Sequence, residues 1–281
     1  MMRGMFAAIS GLKQHQTMLD VTANDIANVN TIGYKSARVT FQDSLTQLQR
    51  GAAGPTTNNG GSNAAQVGLG VGLGSVDNLM TGGSMQSTGN PLDVYIQGDG
   101  FFEIGTGTPT GPATAIPATS YTRAGNFTVN SDGFLCTQEG NYVLGYAQPP
   151  TAAPATVAIQ IPAGASGVAI DQSGGVSYID PATSTRVTPY RLTVATFPNA
   201  AGLERKGGNT WVASANSGPK TVNTPGVGGA GTTIAGSVEM SNVDLAQTFT
   251  NMITAQRGFQ ANSRVISTAD SMLEELVNLK R

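Results

Sequence analysis

The chain has 281 residues, carries a net charge of −2, and only 11% of its residues are charged, where about 25% is usual for a globular domain. With 15 basic residues set against 17 acidic ones and no basic cluster, a surface that tracks phosphate is excluded and nucleic acid is not an expected partner. A single Cys, Cys136, excludes an intrachain disulfide, and the 37 glycines favour strands, turns and linkers over the build of a typical cytosolic enzyme.

The first element is a helix. Met2, Met5, Ile9, Leu12, Gln16, Leu19, Ala23 and Ile26 alternate three and four apart, a heptad line with one polar member. The opening MMRGMFAAISGLKQH has one Arg before an apolar run, but Lys13 breaks the run and the helical period continues past it. It is therefore read as helix rather than cleaved signal. No stretch approaches the roughly 18 apolar residues of a membrane span, so no membrane insertion is expected. The helix ends in DVTANDIANVNTIGYKS (20–36), where Asn24, Asn28 and Asn30 crowd together before Gly33, Tyr34 and Lys35. Asn amides compete for backbone groups and favour helix ends. Gly33 is the expected reversal, and Tyr34 and Lys35 are expected to begin an arm.

Residues 46–80 read as an extended arm. RGAAGPTTNNGGSNAAQ within it is poor in apolar residues, a loop or linker, and GLGVGLG (68–74) alternates Gly with Val or Leu. The glycine run matches no phosphate loop and suits an extended segment approached by another backbone. Residues 81–237 read as all-β. Gly98-Asp99-Gly100 and Asp132-Gly133 are hairpin signals, Pro149, Pro150, Pro154 and Pro162 punctuate the middle, and no helical period occurs.

From 238 to 281 the chain is helical again. Ser241 or Asn242 is the expected cap, with Asp244 in the first turn. A second heptad line runs Leu245, Phe249, Met252, Gln256, Phe259, Ser263, Ile266, Asp270, Leu273, Val277. The fold class is thus α+β: N- and C-terminal α-helices (1–45 and 238–281) forming a coiled coil, with an all-β domain inserted between them.

No constellation for catalysis, cofactor or metal emerges. The one His, His15, flanks the first helix and reads as a solvated or interface residue. Asp99, Asp132 and Asp171 sit beside Gly or in turns and read as turn formers. Trp211 reads as a core anchor of the β domain, and Cys136 as a small buried hydrophobe.

Four segments, in order, carry a resemblance: LDVTANDIANVNTIGYKS (19–36), DVYIQGDGFFEI (93–104), YTRAGNFTVNSDGFL (121–135) and SNVDLAQTFTNMITAQRGFQANSRVISTADSMLEELVNL (241–279). Together they resemble the bacterial flagellar axial proteins of the rod and hook. The resemblance implies a non-enzymatic structural subunit of the bacterial flagellum, without a cofactor, that leaves the cell through the flagellar export apparatus and polymerises with itself into a helical tube. Adjacent rod, hook-cap and junction proteins are the implied neighbours. The implied assembly residues are Ile9, Leu12, Leu19 and Ile26 on the first helix, Asn24, Asn28, Gly33, Tyr34 and Lys35 at the joint, and Phe249, Met252, Gln256, Phe259, Ile266, Leu273 and Val277 on the last helix. Within the family, LVNLKR and VGLGVGLGSV are more similar to hook members and the length to distal rod members. The expectation is a short hook subunit acting as a flexible joint, with the rigid distal rod as the alternative.

Overall fold

A computed structural model of the chain describes residues 2–57, 60–109, 115–148, 156–181 and 183–279. Asn58, Asn59, Pro149, Pro150 and Pro154, read above as loop or break positions, lie outside the described residues. The chain folds as two compact units. One takes in residues 1–27, 37–78 and 244–281, and the other residues 28–36 and 79–243.

The first unit is built on two helices, α1 (Met2–Ala27) and α2 (Leu245–Asn278). They run antiparallel: Gly11 faces Asn262, and Gly258 faces the His15 ring. The 3-4 period holds, but its phase differs from the one read in the sequence. The buried residues of α1 are Ala8, Gly11, Thr22 and Asp25, one position ahead of Ile9, Leu12, Ala23 and Ile26. On α2 they are Thr248, Ala255 and Ala269, again one ahead of Phe249, Gln256 and Asp270. The reason is side-chain size. A line of Ala, Gly and Thr lets two helix axes approach closely, so the larger Ile9, Leu12, Leu19 and Ile26, and Met252, Phe259, Ile266 and Leu273, flank the closest approach and are half-buried.

Asp244 is the N-cap of α2, its carboxylate accepting from the Ala246 and Gln247 amides; neither Ser241 nor Asn242 holds that position. A carboxylate there satisfies two amides that have no partner within the helix.

Residues 37–78 of the same unit form a two-stranded ribbon. Strand Ala37–Asp43 pairs antiparallel with Val71–Asn78, and Thr46–Arg50 with Ala65–Gly68. Asp25 anchors its start by accepting from the Ala37 amide at 3.2 Å. The glycine run does admit a second backbone: at Gly70, with φ of +125°, a Cβ would lie 3.3 Å from the Ala7 Cα of α1 and 2.3 Å from Ser10 Oγ.

The second unit is β-rich. Its main sheet is antiparallel throughout, in the order Ser166–Ile170, Gly175–Ile179, Arg186–Leu192, Tyr142–Ala147, Phe101–Gly105, Ser120–Thr122, Thr210–Val212, Glu204–Gly207. Its helical content among the described residues is one short turn, Ala200–Gly202. The core gathers Val94, Ile96, Phe102, Phe127, Leu135 and Leu192 in one cluster and Phe101, Tyr121, Leu203 and Trp211 in a second. Cys136 is buried beside Phe134 and Leu144.

The Asp132-Gly133 signal marks a real hairpin, Thr128–Val129 with Leu135–Cys136. Gly98-Asp99-Gly100 does not. Val94–Gln97 pairs with Thr232–Ala235 instead of Phe101–Gly105. Gly98 and Gly100 have φ of +114° and +127°, and this corner sends the chain from one sheet into another.

Candidate assembly site

The segment 28–36 shows what the Asn-rich stretch does. α1 ends at Ala27, and Asn28 opens a turn, its carbonyl accepting from the Thr31 amide and its side-chain oxygen from Thr31 Oγ1. Asn24 is exposed on the helix. Gly33 lies six residues past the helix end, so it is not the residue that terminates it. Its φ is +70°, and a Cβ there would meet the Ala124 backbone nitrogen at 2.6 Å. Its own amide donates to the Glu239 carbonyl at 2.8 Å. Gly is required because the chain is pressed against other backbone in a left-handed conformation.

Tyr34 and Lys35, expected to begin an arm, are both buried in the β unit. The Lys35 Nζ donates to Glu239 Oε1 at 2.6 Å and to the Thr81 carbonyl at 2.7 Å. The second carboxylate oxygen, Oε2, accepts from Arg123 at 3.3 Å, and Oε1 also accepts from the Gly83 amide at 2.8 Å. Arg123 donates onward to the Gly98 carbonyl at 2.9 Å, and its guanidinium lies 5.3 Å from the Phe101 ring centroid. Side chains of Lys35, Glu239 and Arg123 are 0%, 0% and 3% exposed, so this is a buried cluster of two cations around one carboxylate. Burial pushes the Lys35 ammonium below its ordinary value; Glu239 opposes that shift and Arg123 adds to it.

The segment is clamped from outside as well. The Arg205 guanidinium stacks 4.8 Å from the Tyr34 ring and 5.1 Å from Trp211 and donates to the Lys35 carbonyl. Asn209 Nδ2 donates to the Ile32 carbonyl at 2.9 Å. Asn242, which looked like a cap, instead accepts from the Ser36 amide at 2.7 Å and donates to the Leu79 and Thr81 carbonyls.

The segments 30–35 and 121–127, each carrying the resemblance, thus meet at Glu239. Arg123 stands in the segment 121–135 that carries the resemblance, whereas Asp25 and Glu239 were given no role from the sequence. Glu239 had one available signal, a lone carboxylate between Val238 and Met240 just before α2.

The expected helix residues separate into two groups. Ile9, Leu12, Leu19, Ile26, Met252, Phe259, Ile266 and Leu273 flank the α1–α2 contact, whereas Phe249, Gln256 and Val277 are exposed and do not belong to it. His15 lies over Gly258 and edge-on to Phe41 at 5.9 Å. Among the described residues no group of three or more His, Cys, Asp or Glu side chains is placed to hold a metal ion. No helix there is long and apolar enough to cross a membrane.

Three family profiles match in chain order. "Flagella basal body rod protein" covers residues 5–35, "Flagellar hook protein FlgE/F/G D1 domain" covers 95–178, and "Flagellar basal body rod FlgEFG protein C-terminal" covers 234–279. The chain is 43% identical over 282 residues to the flagellar basal-body rod protein FlgG of Bacillus subtilis, covering 100% of each. It is 37% identical to FlgG of Caulobacter vibrioides, with 99% of this chain and 100% of that protein covered. The flagellar hook protein FlgE of Borreliella burgdorferi is 27% identical over 450 residues. The chain belongs to the family of flagellar basal-body rod and hook proteins, a structural family of the bacterial flagellum and not one of enzymes.

Proposed function

We propose that the chain is a distal rod subunit, a component of the rigid drive shaft of the flagellar basal body, rather than the hook subunit the sequence motifs favoured. The observation that carries this is the match to rod relatives over essentially the whole of both chains, at 43% and 37% identity. The match to the hook relative is weaker, at 27% identity, and needs a span of 450 positions to accommodate the 281 residues of this chain. The pairing of Ala37–Asp43 with Val71–Asn78 and of Thr46–Arg50 with Ala65–Gly68 supports the same reading, since hydrogen-bonded strands resist bending better than an unpaired linker.

In this reading copies stack through heterologous contacts that do not close, giving a helical tube. The helix pair forms coiled-coil contacts with the helix pairs of neighbouring copies, in an inner layer. The apolar residues left exposed on α1 and α2, among them Phe6, Phe249, Ile253, Leu276 and Val277, are the surfaces such contacts cover. Adjacent rod and junction proteins meet the ends of the tube, and the chain reaches it through the flagellar export apparatus. Electron microscopy of the purified polymer tests the choice. A straight, stiff tube is expected, and a tube that curves or bends along its length would return the assignment to the hook.

A further inference from the structure

Glu239 touches three chain segments distant from it in sequence, at Gly33 and Lys35, at Gly83 and at Arg123. Its carbonyl accepts from Gly33. Its carboxylate accepts from Lys35, 204 residues away, from Arg123, 116 residues away, and from Gly83, 156 residues away. Among the described residues no other carboxylate forms an ion pair with Lys35 or Arg123. Two buried cations therefore depend on one buried anion.

We infer that Glu239 is a positioning residue that sets where the chain enters and leaves the β unit, holding segment 28–36 against strand Ser237–Glu239 through a deliberately unequal charge count. The three charged members are then not equivalent. Without Lys35, the Glu239 carboxylate keeps Arg123 and the Gly83 amide, and the cluster becomes neutral. Without the Glu239 charge, Lys35 and Arg123 share a buried site where, among the described residues, no carboxylate pairs them. Removing one member of a buried pair is severe when it strands a charge, and only the Glu239 change strands charges here. This goes beyond the rod assignment and holds for whichever axial structure the chain builds.

The test uses the full chain and the single Trp, Trp211, which is 3% exposed in this unit and reports its unfolding by fluorescence in urea. E239Q is expected to lower the folding equilibrium constant on the order of a hundredfold or more, and K35M by less than about tenfold. Adding K35M to E239Q removes the surplus cation, so the double variant is expected to recover at least about tenfold over E239Q alone. Where E239Q does not fold at all, recovery of a folded double variant carries the same weight. K35M as damaging as E239Q, or a double variant no better than E239Q, overturns the inference. Because the readout is unfolding of the single subunit, it is indifferent to whether the polymer proves straight or curved.

Discussion

The sharpest consequence of the structure concerns Gly33. A Val there meets two separate penalties. At φ +70° a residue with a Cβ costs about 1–2 kcal/mol relative to Gly, and a β-branched one sits at the upper end. The added Cβ also lies 2.6 Å from the Ala124 nitrogen and 3.0 Å from the Ala124 Cα and the Arg123 carbonyl carbon. These are backbone atoms that cannot swing aside, and forcing them apart costs about 1–3 kcal/mol. If the shift also breaks the Gly33 amide bond to Glu239, about 0.5–1.5 kcal/mol more is lost. Gly33→Val should therefore destabilise the β unit by roughly 3–6 kcal/mol, a large share of the roughly 5–15 kcal/mol that holds a domain together.

Trp211 fluorescence in urea measures the loss, and a thermal melt should show about 2–4 °C per kcal/mol for a unit of this size. Gly140→Ala separates the two penalties. Gly140 has φ +85° and nothing within 4 Å of an added Cβ, so it should lose only the conformational share of about 1–2 kcal/mol. Gly33→Val no worse than Gly140→Ala would refute the claim that segment 28–36 is pressed onto the Arg123–Ala124 backbone.

Three further substitutions probe the units separately, two in the helix pair and one in the β unit. Gly258→Leu places a Cβ 2.5 Å from the His15 ring, and the net of overpacking and better helix propensity should be a loss of about 1–2 kcal/mol in the helix pair. Gly4→Ala, with nothing within 4 Å, should gain up to about 1 kcal/mol; helical circular dichroism melts of the two variants should move in opposite directions. In the β unit, Lys220 donates to the fully buried Glu103 at 2.8 Å. Burial alone would push the Lys220 ammonium down, but the hydrogen bond and charge of Glu103, with Tyr121, raise it above 10.5. A raised amine stabilises the fold below the unfolded value and loses that contribution as pH climbs through the folded one. The parent should thus exceed Lys220→Met by about 1–2 kcal/mol at neutral pH, a figure reduced for the partial exposure of Lys220. The difference should shrink above about pH 10.5, and an advantage that persists or grows in alkali counts against the pair.

Local signals carried much of the architecture. Heptad spacing identified both helices, the Asp132-Gly133 turn identified its hairpin, and the isolated Trp and Cys were placed in the core. What escaped was whatever depended on distant chain. Gly98-Asp99-Gly100 has the composition of a hairpin turn, yet Val94–Gln97 finds its partner at Thr232–Ala235, over 130 residues downstream. Lys35 next to an Asn-rich helix end looks like a solvated residue until Glu239 and Arg123 arrive from the far end and the middle of the chain.

The shifted phase of the helix line has a physical reason that bears on assembly. Hydrophobicity marks Ile9, Leu12, Phe249 and Met252 as the strongest positions, so a sequence reading centres the contact on them. Within one subunit the closest contact instead falls on Ala8, Gly11, Ala255 and Ala269, where small side chains let the backbones approach. Such a line removes little apolar area, and at about 25 cal/mol per Å² it stabilises the pair weakly. The larger residues are left beside it, half-buried, or fully exposed as at Phe249 and Val277. α2 has 34 residues and α1 has 26; with Gly11 opposite Asn262, the last turns of α2, bearing Leu276 and Val277, run past the start of α1. A helix pair with a thin internal contact and a rich apolar exterior is poorly finished as a monomer and suits the polymer proposed above, in which neighbouring copies would bury the residues that hydrophobicity had marked from the start.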